Sequence, residues 1–146
     1  AQLAAPLIDA VLTYPDDIVR QIRTGRHPNG TVRVVLDLDG GTRRDIKTGV
    51  GFFDHMLQQL AFHGQMDLGI EAEGDLHFDD HHTVEDVGIV LGQAFRQALD
   101  GDDAIVRYAD HHTAMDDALV LTAVDLGGRS YLVWDVPFER EAIGAL

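Results

Sequence analysis

The segment Asp79-Asp80-His81-His82-Thr83-Val84-Glu85-Asp86 combines two adjacent histidines with a carboxylate three residues further on. If a helix begins near Asp80, His82 and Glu85 lie on one face of it and His81 lies one turn from Glu85. Two imidazoles and one carboxylate around a single point suit zinc, manganese, iron or nickel. The alternative is a polar helix start that Asp80 caps, without a metal. We favour the metal site, because three ligand-type side chains rarely gather before an apolar helix for capping alone.

The residues after this segment predict a long helix, from Thr83 to about Leu99. Its apolar side chains recur at helical spacing and form one stripe. Gly88 and Gly92 lie one turn apart, so we expect the helix to approach a sheet closely there. The stripe consists of Val84, Val87, Leu91, Ala94, Phe95 and Ala98.

Upstream of this helix, the pattern predicts three strands and a shorter helix. Alternating apolar residues predict a half-buried strand at residues 32–38. Asp39-Gly40-Gly41 then predicts a hairpin turn, with residues 42–47 as the returning strand. Helical spacing after Asp54 predicts a helix that Asp54 caps and Gly64 stops. Residues 67–72 alternate again and predict another strand.

The chain also repeats part of itself. Leu36-Asp37-Leu38-Asp39-Gly40 is echoed by Val124-Asp125-Leu126-Gly127-Gly128. Each copy is expected between two strands, and for the second copy these are residues 119–126 and 130–136. The first unit continues with helix, strand and long helix, whereas the second stops where its first helix should begin. The echo therefore predicts one and a half units, the second sheet being covered either by a partner or by further residues of a longer protein.

Composition limits the classes of function. The chain has 146 residues and a formal net charge of −14, from 11 Lys and Arg against 25 Asp and Glu. The length allows a real core, and so acidic a surface argues against nucleic acid or anionic lipid as a partner. Cysteine is absent, which excludes thiolate ligands and a cysteine nucleophile and agrees with a cytoplasmic location. No apolar run is long enough for a membrane span.

Two long motifs, TGVGFFDHML at residues 48–57 and GDLHFDDHHTVEDVG at residues 74–88, closely resemble the imidazoleglycerol-phosphate dehydratase family of histidine biosynthesis. The resemblance runs from about Gly30 to Asp135. It implies an α+β fold of tandem half-domains, each a four-stranded sheet with two helices on one face, the ribosomal protein S5 domain 2-like arrangement. Residues 30–104 would then be the first half-domain, residues 105–146 the start of an incomplete second one, and residues 1–29 an extension or linker.

The resemblance also implies the chemistry and the partners. Members of the family are manganese enzymes, with two ions per site, that dehydrate imidazole glycerol phosphate to imidazole acetol phosphate. They assemble from trimers into a 24-subunit shell with active sites between subunits. The chemistry agrees, because breaking a C–H bond beside an imidazole requires an electron-accepting ring, and a metal on a ring nitrogen acts as a Lewis acid. We expect a cytoplasmic, homo-oligomeric lyase, and its ligand types would accept other divalent metals as well.

The residue roles follow from the matching motifs. The implied metal ligands, which are also the implied catalytic residues, are His55, His81, His82 and Glu85. The implied substrate-binding residues are Gln59, His63, His81, His82, Thr83, Glu85, Arg107 and Arg129. Arginine suits a phosphate dianion because its planar fork binds two oxygens at once. For His63 the alternative is a favourable interaction with the dipole at the end of its helix.

Three features depart from the family pattern. The family's second His-His-x-x-Glu motif, together with one further histidine ligand, does not occur in this chain. Asn29 stands where the family usually has a glutamate that contacts substrate, and an amide cannot act as a base. His111-His112 replaces other residues, and we interpret it as an exposed loop pair rather than a metal site. Two alternatives to this lyase remain: a non-catalytic metal-binding assembly subunit, and a different small metallohydrolase using the same ligands.

Overall fold

A computed structural model describes residues 21–27, 30–99 and 105–137, the first of these ranges for its backbone alone. The chain divides into two compact units with a boundary at Asp100–Gly101. The elements of the first unit are β1 (Gln21–His27), β2 (Gly30–Asp37), β3 (Arg44–Lys47), α1 (Gly51–His63), β4 (Asp67–Glu73) and α2 (Asp80–Leu99). The second unit contains β5 (Tyr108–Met115) and β6 (Ala118–Asp125).

The first unit contains a four-stranded sheet in the order β1-β2-β4-β3. β2 pairs antiparallel with β1 and β4, and β3 pairs parallel with β4. The predicted hairpin is therefore wrong: a strand does form at Arg44–Lys47, but β4 separates it from β2. The cause is Asp67, whose Oδ1 accepts the amides of Gly41, Thr42 and Arg43 at 2.7, 2.7 and 2.8 Å. These bonds hold the turn at the start of β4.

Both helices pack on one face of this sheet and enclose a single core. Alternate residues of β2 and β4 supply its centre, together with α2. Burying one such aliphatic side chain contributes about 1.5–3 kcal/mol to folding. This confirms the predicted α+β class, while the tandem repetition of the unit stays a prediction. The central side chains, all between 0% and 2% exposed, are Val34, Leu36, Leu68, Ile70 and Val87.

The two glycines of α2 lie on the face of the helix that does not pack on the sheet. Gly88 and Gly92 are exposed. Among the described residues, no atom outside the local helix backbone lies within 4 Å of a Cβ built on either glycine. The prediction of a close approach there is wrong, because the helix turns its buried aliphatic residues to the sheet instead. These are Val87, Val90, Leu91 and Ala94.

α1 begins earlier than predicted. Its first residue is Gly51, and the N-cap residue Val50 offers no side-chain hydrogen bond. Asp54 is thus not the cap; it lies inside the first turn and binds back to Thr48. The end is as predicted, since Gly64 is the C-cap and its amide donates to a carbonyl of the last turn.

α2 begins at Asp80, three residues before the start that the apolar stripe predicts, and ends at Leu99 as predicted. Its first turn is capped by Asp79, whose carboxylate accepts the amide of His81 at 2.6 Å. Asp80, the cap in the alternative interpretation, is instead the first helical residue. Its negative charge still lies favourably at the positive end of the helix dipole.

The second unit is a hairpin, paired antiparallel from Tyr108↔Asp125 to Met115↔Ala118. β6 matches the strand predicted at residues 119–126, whereas the strand predicted at 130–136 is wrong. That segment forms no ladder with any described residue. β5 has no counterpart among the predicted strands, because residues 108–115 lack apolar alternation.

Every residue of both hairpin strands is exposed. His111 and His112 therefore lie in a strand rather than in the loop that we expected, although they are exposed as expected. None of the helices in the described ranges combines the length and the apolar character that crossing a membrane requires.

Candidate functional site

The first turn of α2 carries two separate imidazole–carboxylate pairs. Nε2 of His81 lies 3.5 Å from Oε2 of Glu85, one turn further along the helix. Nδ1 of His82 lies 3.0 Å from Oδ2 of Asp75, in the loop before the helix. The centroids of the two histidine rings are 5.6 Å apart. The structure thus brings His81 to Glu85 and gives His82 a partner outside the predicted set.

These two pairs differ in burial. The side chains of His81 and Glu85 are 70% and 58% exposed, whereas those of His82 and Asp75 are 37% and 17% exposed. His82 also stacks on Phe78, with parallel rings whose centroids are 6.2 Å apart. His82 is therefore fixed on two sides, and its Nε2 edge is the one that can bind a ligand.

The loop before α2 is held to the helix by packing. The amide of Phe78 donates to the carbonyl of Asp75 at 2.7 Å, which closes a turn. Gly74 lies so close to Thr83 that a Cβ at Gly74 would collide with the Thr83 hydroxyl. Thr83 itself is 2% exposed, so its hydroxyl faces the loop and not solvent. These contacts place the Asp75 carboxylate beside His82.

The charge of Asp75 determines which nitrogen of His82 carries the proton. The hydrogen bond with His82 is the main cause that lowers the pKa of Asp75 below its usual value of 3.8, against an opposing effect of burial. Asp75 is thus ionised at neutral pH, and an ionised carboxylate only accepts hydrogen bonds. Nδ1 of His82 must then donate, which in the neutral ring leaves a lone pair on Nε2.

Three further predicted residues lie on α1. His55, Gln59 and His63 follow at intervals of four residues, so they share one helix face. His55 and His63 are exposed and Gln59 is half-buried. Within the described ranges, no three His, Asp or Glu side chains form a group that could hold a metal ion. A single chain therefore does not join His55 to His81 and Glu85 in a three-ligand site.

The two predicted arginines lie in the second unit. Nε and Nη2 of Arg107 bind Oδ1 and Oδ2 of Asp125 at 2.7 and 3.2 Å. This hydrogen-bonded pair lowers the pKa of Asp125 and raises that of Arg107. Arg129 is exposed, directly after Gly128, whose φ of 75° suits glycine. Asn29 lies outside the described residues.

Asp75 and Asp125 are residues of the candidate site that the sequence patterns do not predict. Asp125 could have been found, because it ends β6 as Asp37 ends β2, and the two are equivalent in the internal echo. For Asp75 the signal is weaker: it lies in the second motif, seven residues before His82, with nothing in the sequence to pair the two.

Comparison with known proteins identifies the family of the chain. Residues 48–146, which include α1, α2 and the hairpin, match the family profile described as imidazoleglycerol-phosphate dehydratase. The chain belongs to this family. The predicted family is thereby confirmed.

Individual imidazoleglycerol-phosphate dehydratases agree with the profile. Those of Cereibacter sphaeroides and Paracoccus denitrificans are 59% and 60% identical, over 78% and 77% of this chain. The chain spans about 58% of the length of these curated relatives. The crystal structure of the Staphylococcus aureus dehydratase superposes with a TM-score of 0.74 at 34% identity, covering 86% of this chain and 69% of that one.

A second profile, the AMIN domain, matches residues 1–52. In the structure, β1, β2 and β3 of that stretch form one sheet with β4, which the second profile does not include. The described residues of this stretch therefore belong to the same folding unit as α1 and α2, and not to a separate domain.

Proposed function

We propose that the protein is a manganese-dependent hydro-lyase that converts imidazole glycerol phosphate to imidazole acetol phosphate in histidine biosynthesis. The observation that carries the proposal is the geometry at the start of α2. His82 has Nδ1 bound to Asp75 and Nε2 open to a ligand, next to His81 and Glu85. In the reaction one C–H and one C–OH bond break, and the hydrogen and hydroxyl leave as water.

The donor set fits a divalent cation. Neutral imidazole nitrogens and a carboxylate are ligands that manganese and its neighbours accept. Each chain would contribute His81, His82 and Glu85 from α2 and His55 from α1, and ligands from more than one chain would complete a cation site. Once bound, the cation would act as a Lewis acid that draws electrons from the imidazole ring of the substrate. Glu85 would place a carboxylate near the C–H bond that breaks, where it could accept the proton.

The site requires more than one chain in this proposal. No three-ligand group forms among the described residues of a single chain. We infer that copies assemble so that His55 of one chain meets the α2 start of another, as trimers and then a 24-subunit shell. The exposure of His81 and Glu85 supports this, because ligands for a shared site must lie at the surface.

The phosphate of the substrate would be held by Arg107 and Arg129. In a chain of net charge −14, such cations matter locally for capturing an anion. Asp125 binds one edge of the Arg107 guanidinium and so fixes its plane, while the Nη1 edge faces elsewhere. Gln59 and His63 would line the site from α1.

The test is product formation from imidazole glycerol phosphate by the full-length protein. We expect turnover with Mn²⁺, loss of turnover after chelation, and recovery when Mn²⁺ is restored. Glu85→Gln should reduce kcat by at least about a hundredfold, because it removes an acid–base and ligand group. His111→Gln, on the exposed hairpin, is the matched control and should retain activity. No turnover in excess Mn²⁺ would reject the proposal.

A second candidate function is a non-catalytic metal-binding assembly subunit, because among the described residues the exposed His81 and Glu85 pair with each other and His55 does not join them around one point. Such a subunit would form the same oligomer and bind Mn²⁺ without turnover. Light scattering of the assembly, combined with Mn²⁺ titration and the activity assay, distinguishes the two functions.

A further inference from the structure

The hydrogen bond between Asp75 and His82 is less exposed to solvent than the surface pair of Asp45 and Lys47. Its side chains are 17% and 37% exposed, against 61% and 74% for Asp45 and Lys47. Exposed pairs are weakly held because two flexible side chains must be ordered in water. Asp75 and His82 are instead ordered by packing, so their mutual geometry is well defined.

Several contacts fix Asp75 independently of His82. Its carbonyl accepts the amides of Phe78 and Asp79, at 2.7 and 3.4 Å, which makes the loop a closed turn. The preceding residue, Gly74, is pressed against the buried Thr83 of α2. These contacts hold the backbone of Asp75, so its carboxylate reaches His82 from a closed turn that packs on α2.

We propose that Asp75 is a positioning residue, which holds His82 in the Nδ1–H tautomer and aims its Nε2 lone pair at a divalent cation. The inference rests on the proposed function, since the cation is the one proposed above. A carboxylate behind a ligating histidine fixes the orientation of the ring and raises the basicity of the donor nitrogen. His81 differs from His82, because the carboxylate of Glu85 lies at its Nε2 and not at its Nδ1.

The first measurement needs no metal. Nitrogen-15 NMR of the histidine rings in the full-length, metal-free protein reports which nitrogen of His82 is protonated. We expect Nδ1–H in the wild type and a shift toward Nε2–H in Asp75→Ala. A wild-type His82 in the Nε2–H form overturns the proposal, whether or not any variant folds.

The second measurement is the affinity for Mn²⁺ of the full-length protein. Asp75→Ala should weaken it by about ten- to a hundredfold, the usual effect of removing such a partner. Asp75→Glu should recover part of the loss. Glu73→Gln is the matched control: it removes one negative charge two residues away, on the exposed side of β4, and should leave the affinity within about twofold.

The outcomes separate this inference from the proposed function. If Asp75→Ala and Glu73→Gln weaken Mn²⁺ binding equally, the effect is net charge and the positioning role is overturned. If Asp75→Ala binds Mn²⁺ as the wild type does, it is overturned as well. If the wild type shows the Nδ1–H tautomer, loses it in Asp75→Ala and yet never turns over substrate, the positioning of His82 is supported and the lyase proposal alone fails.

Discussion

Asp54 accepts two hydrogen bonds from Thr48 through the same carboxylate oxygen, one from the amide at 2.9 Å and one from the hydroxyl at 2.6 Å. Thr48 is fully buried, and its hydroxyl oxygen also accepts the amide of Val50. Together these bonds join the end of β3 to the first turn of α1, directly before His55.

Removing this junction should destabilise the first unit. We expect Asp54→Ala to lower the free energy of unfolding by about 1–2 kcal/mol, because it leaves a buried hydroxyl and an amide without their acceptor. Urea denaturation followed by circular dichroism measures the change. Asp45→Ala, whose exposed side chain pairs with the exposed Lys47, serves as the control and should have little effect. Equal stability of the two variants would mean that the hydrogen bonds between Asp54 and Thr48 do not stabilise the first unit.

The three amides on Asp67 predict a second, distinct loss of stability. Asp67→Ala removes the acceptor that draws Gly41, Thr42 and Arg43 to the start of β4. Since two of these bonds are exposed, we expect a loss of about 1–3 kcal/mol rather than the full sum of three charged hydrogen bonds. Glu71→Ala, an exposed position on the same strand, is the comparison. Hydrogen exchange should accelerate at the Arg44–Lys47 amides in the first variant and not in the second.

The same carboxylate predicts a pH dependence. Hydrogen bonds from the amides of Arg43 and Gly41 are the leading causes that lower the pKa of Asp67 below 3.8. The unfolded chain therefore takes up a proton first as the pH falls. The contribution of Asp67 to stability is fully present above the unfolded pKa and is lost as the pH drops through the folded one. The difference in unfolding free energy between wild type and Asp67→Ala should be constant near neutral pH and shrink below about pH 4. A difference that grows in acid would exclude this linkage.

Gly74 and Thr83 form a contact that a double-mutant cycle can measure. Gly74→Ala should cost about 1–3 kcal/mol of stability, because the new Cβ has no space beside the Thr83 hydroxyl. Thr83→Ala removes that hydroxyl, so Gly74→Ala should cost less in the Thr83→Ala background. Additive losses in thermal or urea unfolding would mean that the two residues do not share this contact.

Arg107 offers a test of phosphate recognition. Arg107→Lys keeps the charge but loses the planar fork, so we expect KM for imidazole glycerol phosphate to rise by about tenfold, with a smaller change in kcat. The unfolding midpoint should hardly move, because the Arg107–Asp125 pair is exposed on both sides. An unchanged KM in Arg107→Lys would contradict the proposed contact of Arg107 with the substrate.

Periodicity predicted the elements whose contacts are local or repeat along one face. α2 and the strands at β2 and β4 are examples, because burial of one stripe or of alternate residues leaves a direct mark on the sequence. The place of β3 left no such mark. It depends on Asp67 binding amides 24 to 26 residues earlier, and a turn signal alone is equally compatible with a hairpin.

Part of the candidate site could likewise be predicted from the sequence, and part could not. The motif at the start of α2 placed His81 one turn from Glu85, and the structure has that pair, because helix geometry alone fixes it. The partner of His82 could not be predicted, since it depends on how the loop at Gly74–Asp75 packs on Thr83. The convergence of His55 with His81 and His82 remains a prediction about contacts between chains, because the described residues of one chain form no three-ligand group.

The order of the hairpin of β5 and β6 depends on what covers its apolar side chains. An isolated two-stranded ribbon is marginally stable in water, and this one presents Leu119, Leu121 and Val124 to solvent. Its amides should therefore exchange with solvent faster than those of β2 and β4, whose side chains lie in the core. Whatever covers these apolar side chains in a cell, further residues of a longer protein or a second chain, would also protect the ribbon from chaperones and proteases.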